Sequence, residues 1–252
     1  MRVTVLGCGT SGGVPRADGY WGDCDPTEPR NRRRRASILV EAGGARILVD
    51  TSPDLRAQCL DHDIRRIDAV LYTHAHADHT HGIDELRGFA LKTGERIPVW
   101  GDRATLATLQ RRFDYIFQSK TGYPAVCTVR EINGPFQAAG IDVLAFRQEH
   151  GPVMSLGFRF GSIAYSTDLN GLDEVAFAAL AGVDVWIVDA LRLQPHPTHA
   201  HLETTLAWIE RVRPRRAILT HMAWDMDYRT LLEELPPGVE PAYDGQVVAS
   251  AG

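Results

Sequence analysis

Three imidazoles and a carboxylate fall within six residues of this chain, in Tyr72–Thr73–His74–Ala75–His76–Ala77–Asp78–His79. No other stretch limits so sharply what the chain can become. It follows the apolar run Ala69–Val70–Leu71–Tyr72, which reads as a short buried strand. Residues two apart in an extended segment face the same side, so His74 and His76 point together. Asp78 and His79, in the turn that follows, can face the same point from another direction. Neutral imidazole nitrogens and carboxylate oxygens are ligands that Zn²⁺, Mn²⁺ and Fe²⁺ accept. One or two histidines in a loop would be unremarkable, but a His-x-His-x-Asp-His run reads as a divalent-metal site.

At 252 residues the chain can bury a substantial core and lies near the upper end of a single domain. Its formal charge of −5 argues against a generally basic nucleic-acid binder, because such binding relies on Lys and Arg neutralising phosphates. A small phosphorylated substrate remains compatible. The cysteines, Cys8, Cys24, Cys59 and Cys127, form no Cys-x-x-Cys pair, so neither a zinc ribbon nor a redox dithiol is suggested. The best apolar run, Val183–Leu191, is interrupted by Asp184 and Asp189 and cannot cross a bilayer. The start, Met1–Leu6, is too short for a signal-peptide core. A soluble cytoplasmic protein with reduced thiols and no membrane partner is expected.

Arg2–Leu6 reads as the first strand, followed by the glycine-rich turn Gly7–Pro15. Such a turn can present N–H groups to an anion or serve as a tight connection; it is not a P-loop, since no Gly-Lys-Ser/Thr follows. Residues 16–35 read as irregular and end in the basic cluster Arg30, Arg32, Arg33, Arg34 and Arg35, a solvated or paired run or a phosphate-steering one. Ser37–Glu41 and Arg46–Val49 form a hairpin pattern. A helix is expected from Pro53 to about His62, a strand over Ile67–Tyr72, helical spacing over Ile83–Leu91, a strand at Pro98–Gly101 and a helix at Ala104–Phe113. Residues 114–125 form a looser aromatic segment, for packing or for a lid. Strands follow at Ile141–Phe146, Leu156–Phe160, Ile163–Ser166, Val185–Val188, Ala217–Leu219 and Gln246–Ala249, with helices at Leu202–Val212 and Tyr228–Leu235. No linker-like tract divides the chain, so one domain over 1–252 is expected, of α/β class, with two strand-rich halves and helices packed outside.

His150, Asp168 and His221 each follow the carboxyl end of an apolar strand, as His74 does. In α/β architectures such ends meet along one edge, where ligands gather. Each of the three taken singly could cap a turn or bond the backbone. With His74, His76, Asp78 and His79, they give a candidate site of seven ligands.

This pattern resembles the metallo-β-lactamase superfamily, whose signature is His-x-His-x-Asp-His followed by a later His, an Asp and a final His. The resemblance covers essentially the whole chain. It implies an αββα sandwich in which His74, His76 and His150 hold one metal, Asp78, His79 and His221 hold the other, and Asp168 bridges them. Asp50 falls where these proteins carry a buried Asp that orients ligands, or it caps its strand. Within the superfamily the sequence looks most like the phosphodiesterase of the carbon–phosphorus lyase pathway. The features are Gly7–x–Gly9–Thr10–Ser11–Gly12–Gly13–Val14–Pro15, the Asn31–Arg35 run into Ala36–Ser37, His196–Pro197–Thr198–His199, and Leu219–Thr220–His221–Met222. The match points to His199 as a catalytic histidine.

That resemblance implies a phosphodiesterase with two divalent ions, Mn²⁺ or Zn²⁺ with Fe²⁺ admissible, acting on a small phosphodiester such as a cyclic ribose phosphate or a nucleotide-like compound. Asp78 would orient the attacking water while remaining a ligand, and His199 would donate a proton to the leaving alkoxide. One departure stands out. Relatives often carry an extra structural zinc, but the early loop supplies only Cys24, and Trp224 stands where a second His would be expected. No structural zinc is expected, and Arg, Trp21 and Asp contacts would hold the loop instead. Rival readings are a tRNA 3′-end endonuclease, for which no basic glycine-rich arm lies between His79 and His150, and a thioesterase of the glyoxalase II type. A lactamase and a non-catalytic binding protein of cofactor biosynthesis complete the set. Nucleic acid is a disfavoured partner, and a homodimer is left open.

Overall fold

The computed structural model describes residues 1–120 and 122–249. Its first half builds β1 (Arg2–Gly7), β2 (Ser37–Ala42), β3 (Ala45–Val49), α1 (Leu55–Asp61), β4 (Ala69–Leu71), α2 (Ala77–Thr80), α3 (Leu86–Thr93), β5 (Ile97–Gly101), α4 (Arg103–Arg112), α5 (Asp114–Phe117) and β6 (Cys127–Glu131). There follow β7 (Phe136–Ala138), β8 (Ile141–His150), β9 (Val153–Phe160), β10 (Ile163–Ser166), α6 (Glu174–Leu180), β11 (Val185–Asp189), α7 (Leu202–Val212), β12 (Arg216–Thr220), α8 (Tyr228–Glu234), β13 (Val239–Pro241) and β14 (Val247–Ala249).

Alternation along the strands sets the layers. Ile38, Val40, Ile47, Val49, Ala69 and Leu71 belong to one core, whereas their neighbours Leu39, Leu48 and Val70 belong to another. Successive side chains of a strand point to opposite faces, so both faces of this sheet are covered. The first core lies between two seven-stranded sheets, ordered β14-β1-β2-β3-β4-β5-β6 and β13-β12-β11-β10-β9-β8-β7. The second lies under α1, α3 and α4, where Leu55, Cys59, Leu86, Leu106 and Leu109 cover the outer face of the first sheet. Outside the other sheet, Ala176 and Leu180 of α6 and Leu202, Trp208, Ile209 and Val212 of α7 pack down. The result is the αββα sandwich that the resemblance implies. Asp102, Asp173 and Asp227 start α4, α6 and α8 by accepting N–H bonds from Thr105, Ala176 and Thr230.

Several elements differ from the expectation. β8 does not stop at Phe146 but pairs with β9 up to His150↔Val153. The turn carrying Asp78 and His79 is the short helix α2, and Ile83–Leu91 divides into a 3-10 turn over Ile83–Glu85 and then α3. β6, β7, α6 and β13 have no counterpart in the sequence reading. Three of these are short or lie at a sheet edge, where one face stays in water and the apolar alternation that marks a strand weakens.

The early loop is held as expected by Arg, Trp and Asp contacts. The buried Arg33 guanidinium donates to the carbonyls of Ala223 and Met226 and to Asn31. Asn31 in turn donates to Asp227, and Arg32 lies over Trp21 at 5.3 Å. The rest of the basic cluster is also engaged: Arg30 over Tyr228 and Tyr243, Arg34 with Asp61, Arg35 with Asp54. In the glycine-rich turn the N–H groups of Cys8, Gly9, Thr10, Gly13 and Val14 donate to protein acceptors, as a tight connection requires. A Cβ on Gly7 would lie 2.1 Å from the Arg35 carbonyl oxygen, so only glycine allows that approach.

Candidate metal centre

All seven proposed ligands meet at one edge of the sandwich. His74, His76, Asp78 and His79 follow β4, while His150 ends β8 and Asp168 and His221 follow β10 and β12. Asp50, Asp168 and His221 have φ of 62°, 55° and 58°. This left-handed region costs a non-glycine residue on the order of 1 kcal/mol, and such residues cluster at functional sites. Here it turns the chain sharply out of each strand while the side chain stays in the cleft.

The donor atoms fall into two groups of four. In one, His76 Nδ1 lies 2.9 Å from His74 Nε2 and 3.2 Å from His150 Nε2, and Asp168 Oδ2 is 3.8 Å and 3.7 Å from those two Nε2 atoms. In the other, His79 Nε2 lies 3.2 Å from Asp78 Oδ2 and 3.1 Å from Asp168 Oδ1, and His221 Nε2 is 3.7 Å and 3.3 Å from the same two oxygens. Asp168 thus gives one oxygen to each group. His76 is exposed and Asp78 half-buried, marking the mouth; the other five are buried.

The arrangement fits divalent ions. Four donors about 2.0–2.1 Å from one ion at tetrahedral angles stand roughly 3.3 Å apart, and the separations here scatter around that value. His79 Nε2 and His221 Nε2 are buried without a hydrogen-bond partner among the described residues, as nitrogens aimed at an ion would be. The far sides of the rings are pinned. His79 Nδ1 is 2.8 Å from Asp50 Oδ2, His150 Nδ1 donates to the Thr198 carbonyl at 2.7 Å, and His74 Nδ1 meets Thr73 Oγ1 at 2.9 Å. Asp50 also takes the Thr73 N–H and hydroxyl at 2.8 Å each, so one buried carboxylate sets both the start of the loop and its last ring.

Charge separates the two groups. Burial drives His74 well below the usual imidazole range and lowers His76 and His150 as well, so these rings are neutral. Burial also opposes charge on His79 and His221, yet Asp168, Asp78 and Asp50 hold His79 well above its usual value, and Asp168, Asp78 and Asp189 bring His221 up to about 9. Asp168 and Asp78 are held well down, although burial alone would raise both, by His221 and His79 and, for Asp78, chiefly by His79. Protons therefore accumulate where a cation would relieve the carboxylates.

His199 stands beside both groups. Its Nδ1 lies 2.9 Å from Asp189 Oδ2, its Nε2 is 3.8 Å from Asp168 Oδ2, and its ring stacks on His221 at 4.8 Å and 9°. The sequence gives Asp189 no role beyond interrupting the apolar run Val183–Leu191, and in the structure it ends β11. It is fully buried and also accepts the Leu169 N–H. Its place at the end of a buried parallel strand, beside the ends that carry Asp168 and His221, was the available signal. His201 turns aside to Thr204 and Glu203.

Fold and paired clusters define the class of protein. The sequence profile of the β-lactamase superfamily domain matches residues 45–222, and the chain belongs to that family. The narrower likeness seen in the sequence also holds. Over 99% of its length the chain is similar to the crystal structure of a diphosphatase of the PhnP family, at 33% identity with a TM-score of 0.92, covering 98% of that protein. Among curated proteins it is 32% identical over 97% of its length to an octanoyltransferase of Porphyromonas gingivalis, covering 51% of that protein. It is 28% identical over 54% of its length to a ribonuclease Z of Bradyrhizobium, covering 47% of it. The chain spans about half the length of these two curated relatives. No helix among the described residues is long and apolar enough to cross a membrane.

Proposed function

We propose that the protein is a phosphoric diester hydrolase that works with two divalent ions, Mn²⁺ or Zn²⁺ with Fe²⁺ admissible, on a small phosphodiester. The observation that carries this reading is the Asp168 carboxylate, with one oxygen in each of two four-donor clusters and His199 beside it. His74, His76 and His150 would hold one ion and Asp78, His79 and His221 the other, with Asp168 shared. Bound there, paired ions supply charge neutralisation of a phosphate oxygen and activation of a water. The protein's own groups do the rest. Asp78, at the mouth, orients the attacking water. Asp189 fixes His199 through Nδ1, leaving Nε2 to give its proton to the departing oxygen. Overall, one bond forms between the water oxygen and phosphorus and one phosphorus–oxygen ester bond breaks. The similarity to a PhnP-family diphosphatase supports hydrolysis at phosphorus; similarity to ribonuclease Z makes RNA the rival substrate.

The test is elemental analysis of the purified protein joined to a screen of 1,2-, 2′,3′- and 3′,5′-cyclic phosphates, bis(p-nitrophenyl) phosphate and short RNA. Two equivalents of metal with turnover of small diesters is expected. A protein carrying both metals and inert toward every diester overturns the reading in favour of a binding protein, and turnover of RNA alone favours the nuclease.

A further inference from the structure

Away from the metal centre, a groove of about 290 Å³ lies between α1, the turn after it and α3. Its floor is apolar: Cys59 and Ile64 are buried, Phe89 is half-buried, and Leu60 leaves 52% of its surface in water. Burial, with Glu85 adding to it, pushes the Cys59 thiol up to about 12, so this sulfur packs as an apolar group. Three cations, Arg56, Arg65 and Lys92, stand around the floor against one carboxylate, Glu85. Arg65 is paired with Asp63, and Lys92 donates to the Arg65 carbonyl, yet neither Lys92 nor Arg56 meets a carboxylate among the described residues. In a chain of formal charge −5 this is a local excess of positive charge around an apolar surface.

Gly88, the third residue of α3, gives the groove its width. A glycine inside a helix destabilises it relative to alanine, and its usual uses are a left-handed backbone or a close approach. Gly88 serves neither within this fold. Its φ is not positive, and a Cβ built on it would meet nothing within 4 Å. Gly82, six residues earlier, shows the contrast, since a Cβ there would stand 2.0 Å from the Ser52 carbonyl oxygen. An opening that the fold does not use lets a second molecule bring its own backbone up to α3 at helix-packing distance. An apolar groove between two helices is the kind of surface that takes the apolar face of an amphipathic helix. A second copy of this chain fits poorly, because a two-fold contact would set Arg56, Arg65 and Lys92 against their own equivalents. A nucleic acid would use the cations but leave Leu60 and Phe89 facing phosphates.

We propose that this groove is the docking surface for an acidic amphipathic helix of a partner protein, its apolar face on Leu60 and Phe89 beside Gly88 and its carboxylates on Arg56 and Lys92. None of the lining residues donates to either metal cluster, so the partner docks without occupying the reaction centre.

The test titrates the metal-loaded full chain into a fluorescein-labelled peptide of about 18 residues, with Leu along one helical face and Glu and Ala on the rest, read by anisotropy. A twin peptide carries Lys in place of Glu. The Glu peptide should bind the wild type with a Kd on the order of 10–100 µM, and the Lys peptide at least about tenfold more weakly. Gly88→Gln, which fills the opening with a better helix former, should weaken the Glu peptide about tenfold and at the same time raise the melting temperature. Arg56→Glu joined to Lys92→Glu should weaken the Glu peptide about tenfold and admit the Lys peptide. Absence of binding by the Glu peptide, or an affinity unmoved in Gly88→Gln, overturns the docking surface. So does a lower melting temperature in Gly88→Gln, which would mean that the fold itself needs the glycine. Self-association in sedimentation that Gly88→Gln abolishes assigns the groove to a second copy, and displacement of the peptide by oligouridylate that binds Gly88→Gln undiminished assigns it to nucleic acid. Either result overturns the protein partner.

Discussion

The two sheets feed the centre in opposite ways. The first gives four donors from a single short loop after β4; the second gives three, each from a different strand end tens of residues apart. The first contribution is local, yet it is not self-sufficient. His74 and His76 go to one cluster and Asp78 and His79 to the other, so each cluster takes two donors from the first sheet and completes itself with two from the second, Asp168 being common to both. Neither sheet alone completes either cluster, and an ion bound in either one ties the sheets together. Affinity for metal and the docking of the halves are then linked quantities.

The sharpest way to break this symmetry is Asp168→Ala, which removes a donor from both clusters at once. Metal content should fall together at both sites and hydrolysis should be lost, and retention of two full equivalents by elemental analysis would contradict the sharing. Next in size is His199→Ala, which removes no donor from either four-donor cluster. It should keep both metals and slow turnover of alkyl diesters by 10²- to about 10⁴-fold, with a much smaller loss on p-nitrophenyl esters, whose leaving group needs no proton. Equal losses on both substrates would count against proton donation. Asp189→Asn tests the support behind that ring, and a fall of about 10- to 100-fold in kcat with metal content intact is expected. Smallest is the effect of pH on metal uptake. The clusters' carboxylates keep His79 and His221 protonated, His221 up to about 9, so an ion must displace a proton. Affinity should therefore rise with pH, by about tenfold per unit for each proton displaced, until the pH passes about 9. Calorimetry in buffers of different ionisation enthalpy counts those protons, and a flat profile between pH 7 and 9 would show that the carboxylates do not hold them.

What could be read from the sequence follows the same division. The loop was legible because its residues are consecutive and chemically improbable together. The three distant donors are legible only as ends of apolar strands, and Asp189, which has that very placement, is not, because an Asp closing an apolar run has an ordinary explanation as a strand end. Layers were visible where both faces of a strand are buried, as in β2, β3 and β4. They were not where Thr128, Arg130 and Glu131 of β6 face partly into water, or where Pro241 ends a three-residue edge strand. The reach of β8 to His150 was hidden too, since Arg147, Gln148 and Glu149 break the apolar run and only pairing with β9 keeps them extended.

The sharp bends at Asp50, Asp168 and His221 have a cost in durability. Glycine or asparagine would rest more comfortably at each of these corners, so a chain screened for heat resistance alone would drift toward them and shed its chemistry. Thermostable variants that survive such a screen should be checked first at these three positions, because there a tougher protein and an idle one are the same substitution.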